Sequence, residues 1–281
     1  MDKQRLKKLL IGDLSWKRMF KSLLFIYIFF AGYVYFRADS MIFLPQPSSY
    51  KDTQKIIKIT SAENTQISCI YLQNPQAKYT VLYAHGNAED LGDIQEILQK
   101  IRDLGFNIFA YDYRGYGTSQ GKPTENHAYQ DIDAAYNYLT QDLKIPPQQI
   151  IVFGRSVGGG SAVDLAARKP VAGLILESTF TTAFRVVVPL PILPFDKFRN
   201  IDKIKKVESP VLVMHGKLDN VIPFTHGQKL FASVTSPKLS LWVETANHND
   251  VYSVAGEKYG KTLRDFADLV SKNQNSPKVI N

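Results

Sequence analysis

One serine of the chain stands among glycines in a pattern that could hold a nucleophile. Gly154, Arg155, Ser156, Val157 and Gly158 form a G-x-S-x-G motif between a β-branched run and an alanine-rich stretch. A strand that turns sharply into a helix strains the serine backbone, and a Cβ two residues before or after the serine would collide with the chain. The motif therefore predicts that Ser156 attacks an acyl carbon from a nucleophile elbow whose glycines are Gly154 and Gly158. A glycine-rich helix packed on a sheet is the alternative interpretation.

A serine hydroxyl needs a base, and the chain offers five histidines. After a nucleophile on such a turn, the acid comes next in the chain and the histidine last. His248, in the polar loop NHND after the last strand-like segment, is the predicted base, and Asp219, in the preceding strand-end loop, is the predicted acid. Glu177 is the second candidate acid. Asp250 is interpreted as a loop carboxylate.

The other four histidines have simpler interpretations. His85 and His215 each precede a glycine at the end of a strand-like segment, so we expect them to shape turns. His127 and His226 stand at the starts of helix-like segments, where we expect them to be exposed.

Two backbone N–H groups are predicted to stabilise an oxyanion. Val157 follows the nucleophile and opens a helix, so its N–H and the helix dipole point to the place where negative charge would develop. The second donor should come from the loop HGNAED, in which Gly86 permits a tight turn. Asn87 is the predicted donor, with Ala88 as the neighbouring option.

Strand-like and helix-like segments alternate from residue 50 onward. A βαβα alternation with nearly continuous apolar strands indicates an α/β fold with a mostly parallel eight-stranded sheet and helices on both faces. In such a sheet, function collects at the carboxyl ends of the strands. The eight strand-like segments are KIIKIT, QISCIYL, YTVLYAHGN, FNIFAYDY, QIIVFG, AGLILEST, PVLVMHG and LSLWVET.

Composition excludes several classes of function. The chain has 281 residues, 44% of them hydrophobic, which is enough for one sizeable core. The net charge is +8, but most of it lies in the first 21 residues, so no nucleic-acid partner is expected. Cys69 is the only cysteine, which excludes an internal disulfide and a cysteine-cluster metal site.

The N-terminus predicts membrane attachment. Residues 23–36 form an uncharged apolar run after a basic block, shorter than the roughly 20 residues of a usual span. We interpret residues 1–38 as a basic N-terminus with an uncleaved single-pass anchor and residues 39–281 as the catalytic domain. The positive-inside rule then keeps the N-terminus cytoplasmic and puts the domain on the opposite side. A signal peptide cleaved near residues 38–40, giving a secreted or periplasmic protein, and a buried helix are the alternatives.

The motifs HGNAED, YDYRGYGTSQGKPTE, GRSVGGG, ESTF, HGKLDNVIP and NHND occur together in this order. In combination, across residues 39–270, the chain resembles the α/β-hydrolases, most closely the small membrane-associated group of bud-emergence-type proteins and depalmitoylases. The resemblance implies the α/β-hydrolase fold, a triad of Ser156, Asp219 and His248, no metal and no organic cofactor. It also implies a structural role for Asp112 and Arg114. Depalmitoylases of this group carry N-terminal cysteines, which this chain lacks.

A short lid is expected at about residues 181–206, where proline interrupts an apolar stretch and disfavours one long helix. Its apolar side chains would form a wall for an acyl chain, or would bury themselves against the body of the domain. They are Val187, Val188, Leu190, Ile192, Leu193 and Phe195.

These observations together predict a serine hydrolase that cleaves an ester or thioester, or an amide, through an acyl-enzyme, acting on a small-molecule or lipid-like acyl substrate. The alternatives are a hydrolase-fold binding protein with little turnover and an acyltransferase or peptidase that uses the same triad. The sequence makes no prediction of oligomeric state.

Overall fold

A computed structural model describes residues 15–275, and its eight strands form one sheet. The strands are β1 (Ile57–Ser61), β2 (Thr65–Leu72), β3 (Thr80–Ala84), β4 (Asn107–Tyr111), β5 (Ile150–Arg155), β6 (Gly173–Glu177), β7 (Val211–Gly216) and β8 (Lys238–Val243). The strand order is β1-β2-β4-β3-β5-β6-β7-β8. The β1–β2 and β2–β4 pairs are antiparallel and the other pairs are parallel, which confirms the predicted mostly parallel sheet.

Helices cover both faces of the sheet. The helices are α1 (Trp16–Ile42), α2 (Gln95–Asp103), α3 (Glu125–Asn137), α4 (Gly158–Arg168), α5 (Ala183–Val187), α6 (Asn200–Lys203), α7 (Thr225–Ser233), α8 (Val251–Ala255) and α9 (Glu257–Asn275). One core includes side chains of α3, α4 and α7, and the other includes side chains of α2, α8 and α9.

Strand β5 illustrates why the central strands are apolar without interruption. Ile150 and Val152 point into the core with α3 and α4, whereas Ile151 and Phe153 point into the core with α2 and α9. Successive side chains of a strand alternate between faces, so a strand covered on both sides needs apolar residues at every position.

The sheet brings the carboxyl ends of β5, β6 and β7 to one edge. Arg155 on β5 is in register with Glu177 on β6, and Glu177 is in register with Met214 on β7. The ends of these strands therefore lie side by side. Glu177 is the last residue of β6, and the loops after β5 and β7 carry Ser156 and Asp219.

The N-terminal helix α1 is a 27-residue element with a mean hydropathy of 1.6 in its most apolar window. At 1.5 Å per residue it is roughly 40 Å long, so by length and composition it is able to cross a membrane. It extends well beyond the apolar run 23–36 from which it was predicted. The chain divides into one compact unit that ends at Met41 and another that begins at Ile42. Part of the predicted basic block, residues 1–14, lies outside the described residues.

Candidate active site

Ser156 lies in a strained turn between β5 and α4. Its φ angle is 52°, in the left-handed region that residues with a Cβ adopt at a cost of about 1–3 kcal/mol. A Cβ on Gly154 would come within 2.6 Å of the carbonyl oxygen of Gly158, and a Cβ on Gly158 would overlap the carbonyl oxygen of Ala84. Both glycines therefore stand where the backbone approaches too closely for any side chain.

Ser156, His248 and Asp219 form a continuous line of polar contacts. Nε2 of His248 is 3.1 Å from Oγ of Ser156, and Nδ1 of His248 is 2.8 Å from Oδ2 of Asp219. The three residues are separated by long stretches of sequence but are all buried, with Ser156 8% exposed. With the proton on Nδ1, His248 donates to Asp219 and its Nε2 accepts the hydrogen bond of the serine hydroxyl.

Asp219 is surrounded by donors. Its Oδ1 accepts hydrogen bonds from the backbone N–H groups of Val221 and Ile222, at 2.9 Å and 2.7 Å. Burial opposes ionisation, but the hydrogen bonds from His215, His248 and the N–H of Ile222 more than offset it and hold the pKa of Asp219 well below its usual range. Asp219 therefore stays a carboxylate at any pH at which the protein is expected to work.

His215 is a contact of the candidate acid that the sequence analysis did not predict. Its Nε2 lies 3.2 Å from Oδ2 of Asp219 and 2.9 Å from the carbonyl oxygen of Ile222. The ring is fully buried, and its Nδ1 has no hydrogen-bond partner among residues 15–275. The proton of the ring is therefore assigned to Nε2, which donates to Asp219 and to the carbonyl oxygen of Ile222. These contacts stabilise the turn after β7 that carries Asp219.

Glu177, the second candidate acid, belongs to a different cluster. Its Oε2 accepts a hydrogen bond from the hydroxyl of Tyr259 at 2.6 Å, and its Oε1 lies 3.5 Å from Nε of Arg155. Burial raises the pKa of Glu177 despite the nearby positive charge of Arg155. Asp250 accepts the N–H of Asn247 at 2.6 Å, as a loop carboxylate does.

The loop after β3 is held by its own side chains. The N–H of Gly86 donates to Oε1 of Glu89 at 2.6 Å, so this N–H is already used. The side chain of Asn87 accepts from the N–H of Leu44 at 2.9 Å and the hydroxyl of Tyr116 at 2.6 Å. These bonds occupy the Asn87 side chain and leave its backbone N–H as the donor to consider.

The first turn of α4 lies directly against this loop. A Cβ on Gly158 would come within 2.6 Å of the carbonyl oxygen of His85, two residues before Asn87. Val157, which precedes Gly158, therefore starts its helix beside the loop that carries Asn87. Two predicted oxyanion donors thus come from neighbouring backbone segments.

Two charged residues of the motif YDYRGYG, Asp112 and Arg114, make buried contacts that do not involve Ser156, His248 or Asp219. Asp112 accepts the N–H of Leu91 at 3.0 Å and the hydroxyl of Tyr50 at 2.5 Å. Arg114 donates from Nε to Oδ1 of Asp131 at 2.9 Å. Both contacts connect the turn after β4 to other parts of the domain.

The expected exposure of His226 is wrong. The ring is buried at the start of α7, and its Nδ1 lies 3.0 Å from the hydroxyl of Thr181. The residue was expected to be exposed because it stands at the start of a helix-like segment, but the chain between β6 and α5 packs over it. His127, at the start of α3, is half-buried.

The predicted lid contains two short helices, α5 and α6, separated by an irregular proline-rich stretch at residues 188–199. The absence of one long helix is as expected. Val187 is 81% exposed and Leu190 is 68% exposed, and Ile192 is also exposed. The lid thus presents apolar side chains to its surroundings instead of burying all of them against the domain.

Within the described part of the chain, no group of three or more His, Cys, Asp or Glu side chains could hold a metal ion.

Comparison with known proteins places the chain in a family. A family model described as serine aminopeptidase, S33, matches residues 75–195. Human alpha/beta hydrolase domain-containing protein 17B is 43% identical over 229 residues, which cover 80% of this chain and 78% of the relative. Mouse alpha/beta hydrolase domain-containing protein 17C is 40% identical over 219 residues, which cover 76% and 68%.

Solved structures share the fold. The esterase Pf2001 of Pyrococcus furiosus matches with a TM-score of 0.67 at 17% identity, over 81% of this chain and 97% of that chain. Mouse alpha/beta hydrolase domain-containing protein 10 matches with a TM-score of 0.60 at 17% identity, over 76% and 99%. The expected resemblance to depalmitoylase-like serine hydrolases is confirmed. The chain therefore belongs to the family of alpha/beta hydrolase domain-containing protein 17, and it is a serine hydrolase of the α/β fold.

Proposed function

We propose that the protein cleaves an ester or thioester through an acyl-enzyme on Ser156, with His248 as the base and Asp219 as the acid. The observation that carries the proposal is the pair of contacts at 3.1 Å and 2.8 Å that joins these side chains. The strained φ of Ser156 adds support, because a non-glycine residue in this region is retained where the surrounding structure demands it.

The proposed reaction has two halves. In the first, His248 Nε2 takes the proton of Ser156 Oγ as the oxygen attacks the acyl carbon, and then delivers it to the leaving alcohol or thiol. In the second, His248 takes a proton from the water that attacks the acyl-enzyme, and returns it to Oγ of Ser156 as the acid is released. Asp219 remains ionised throughout and stabilises the imidazolium that forms in each half.

The tetrahedral intermediate of each half carries an oxyanion. We assign its two donors to the backbone N–H groups of Val157 and Asn87. The N–H of Ala88, the alternative to Asn87, already donates to Oδ1 of Asn87 at 3.1 Å. Val157 has in its favour its place at the start of α4, where N–H groups lack partners within the helix. The commitment of the Gly86 N–H to Glu89 argues for a donor further along the loop.

The proposed substrate carries an apolar acyl chain. The lid follows β6, whose last residue accepts the N–H of Ser156 at 2.9 Å through its carbonyl oxygen, so the lid begins beside the nucleophile. The exposure of Val187 and Leu190 makes apolar surface available for a chain bound there. A small-molecule or lipid-like ester or thioester is the substrate class that fits.

Helix α1 is proposed to anchor the protein in a membrane, with the basic N-terminus cytoplasmic and the catalytic domain on the opposite side. Its length and hydropathy support a single span. The full-length protein should stay with membranes through high salt and carbonate washing, because apolar burial is insensitive to ionic screening. Release by salt alone, or a mature N-terminus near residue 41, would contradict the anchor.

The hydrolytic activity itself is tested with a panel of p-nitrophenyl esters, acyl thioesters and aminoacyl amides. Wild-type protein should turn over the esters or thioesters, and Ser156→Ala should lose this turnover while keeping its thermal unfolding transition. Ser271→Ala, on α9, is the matched control and should retain wild-type rates. Turnover of the amides alone would favour a peptidase, and absence of turnover on all three would favour a binding protein.

A further inference from the structure

Arg155, the x residue directly before Ser156, makes several bonds at the end of β5. Its side chain is 14% exposed, and its Nη1 lies 2.7 Å from both carboxylate oxygens of Glu89. Its Nη2 donates to Oδ1 of Asn249 at 2.8 Å, and its Nε lies 3.5 Å from Oε1 of Glu177. One guanidinium thus contacts three separate segments of the chain.

Each of these segments adjoins a group of the proposed reaction. Glu89 accepts the N–H of Gly86 at 2.6 Å and so closes the loop that carries Asn87. Asn249 directly follows His248. The guanidinium therefore connects the loop of an oxyanion donor to the loop of the base, from a position adjacent to the nucleophile.

The charges around Arg155 explain why a cation must be there. Burial alone would lower the pKa of Arg155, but the carboxylates of Glu89 and Glu177 more than offset this effect and raise it. Two carboxylates with little exposure face one guanidinium, so its removal would leave them without a counter-charge. We therefore expect a substitution at position 155 to preserve stability only if it keeps the positive charge.

The geometry of the Arg155 guanidinium matters in addition to its charge. A guanidinium is a flat fork whose N–H groups point in fixed directions, and here Nη1 meets both carboxylate oxygens of Glu89 while Nη2 meets Asn249. The ammonium group of lysine has the same charge, but its donors all lie on one nitrogen. Lysine could therefore balance the carboxylates without contacting both loops at once.

We infer that Arg155 is a positioning residue, whose fork sets the distance between the Gly86–Glu89 loop and the His248 loop around Ser156. The inference rests on the proposed function, because those loops are assigned the oxyanion donor and the base. Arg155 would then have a defined role at a position where the G-x-S-x-G motif accepts any residue.

The decisive comparison is between Arg155→Lys and Asn249→Ala, measured as kcat, KM and thermal unfolding on the best substrate of the panel. Arg155→Lys keeps the charge and should unfold within a few degrees of wild type, but its kcat should fall about tenfold or more at nearly unchanged KM, because small misplacements of reacting groups are costly. Asn249→Ala removes the contact between Nη2 of Arg155 and Oδ1 of Asn249 by changing its exposed partner. It should also lower kcat at nearly unchanged KM, by a smaller factor.

The double variant shows whether the two substitutions lower kcat through one shared contact or through separate effects. If both changes break one link, Arg155→Lys combined with Asn249→Ala should be no slower than Arg155→Lys alone. The matched controls are Arg102→Lys and Asn273→Ala, and both should keep wild-type kcat. Arg102 is a partly exposed arginine that pairs with Asp103.

Three outcomes would overturn the inference: wild-type kcat in Arg155→Lys, wild-type kcat in Asn249→Ala, or losses that multiply in the double variant. If Arg155→Lys fails to fold, Asn249→Ala decides the question, since its side chain is exposed. Failure of the proposed function would look different, because the wild-type protein would then have no turnover to lose.

Discussion

Replacing Ser156 by glycine and, separately, by alanine measures the strain stored at the candidate nucleophile. Both changes remove the hydroxyl and its contact with His248, so the two variants differ mainly in the backbone preference of the new residue. At a φ of 52° alanine keeps the strain, whereas glycine adopts this conformation freely.

The expected difference follows from two opposing terms. Relief of a left-handed φ favours Ser156→Gly by about 1–3 kcal/mol. Glycine also gives the unfolded chain more freedom, which takes back about 0.4–1 kcal/mol. With the middle of each range, about 2 and about 0.7 kcal/mol, the net expectation is an advantage of about 1.3 kcal/mol for Ser156→Gly over Ser156→Ala. For a domain of this size that corresponds to a Tm higher by roughly 3–5 °C.

The assay is differential scanning fluorimetry of both full-length variants in the same detergent, with chemical denaturation as a second measure. Neither variant should hydrolyse the substrate of the wild type. Gly159→Ala, in the same segment but outside the turn, should instead be destabilised, because its Cβ would overlap the side chain of Thr179. Equal Tm values for Ser156→Gly and Ser156→Ala would refute the strained elbow.

The remaining predictions concern the acid, pH and the acyl chain. Asp219→Asn should lower kcat by orders of magnitude, because the imidazolium loses its partner and its tautomer is no longer fixed, whereas Glu177→Gln should do less; the reverse order would move the acid to the end of β6. The pKa of Asp219 is depressed by folding, so its contribution to stability is fully present above the unfolded value of about 3.9 and is lost as the pH falls toward the lower folded value. Between pH 5 and pH 3 the free energy of unfolding should therefore drop more in the wild type than in Asp219→Asn, and parallel curves would contradict this. Each added methylene of a p-nitrophenyl ester should raise kcat/KM about fourfold from acetate to hexanoate, from roughly 0.8 kcal/mol per buried methylene, and polar substitutions at Leu190 and Ile192 should flatten the rise; a flat wild-type series would argue against an acyl-binding lid.

The sequence predicted features whose cause is local. The central strands are covered on both faces, and this leaves an uninterrupted apolar pattern that can be recognised without the structure. The turn at Ser156 leaves no room for a Cβ at positions 154 and 158, so both must be glycine and the pattern can be recognised in the sequence. Chain order then selected Asp219 and His248, and these are the residues that the structure brings to Ser156.

Contacts between distant segments left no such pattern. Arg155 meets Glu89 and Asn249, which are 66 and 94 residues away, and no motif links these positions. His215 was interpreted as a turn histidine because a glycine follows it, while its contact with Asp219 depends on how the loop folds back. His226 was expected to be exposed because it stands at the start of a helix-like segment. Thr181, which contacts it in the structure, lies 45 residues earlier in the chain.

The triad is tested most directly by mapping the site of covalent modification with a fluorophosphonate. The full-length protein is reacted with the probe, digested and analysed by mass spectrometry, with heat-denatured protein as the control. The account predicts one adduct, on Ser156, that is abolished by Ser156→Ala, slowed in Asp219→Asn and His248→Ala, and absent from the denatured protein. An adduct on another residue, or undiminished labelling of folded Ser156→Ala, would contradict it.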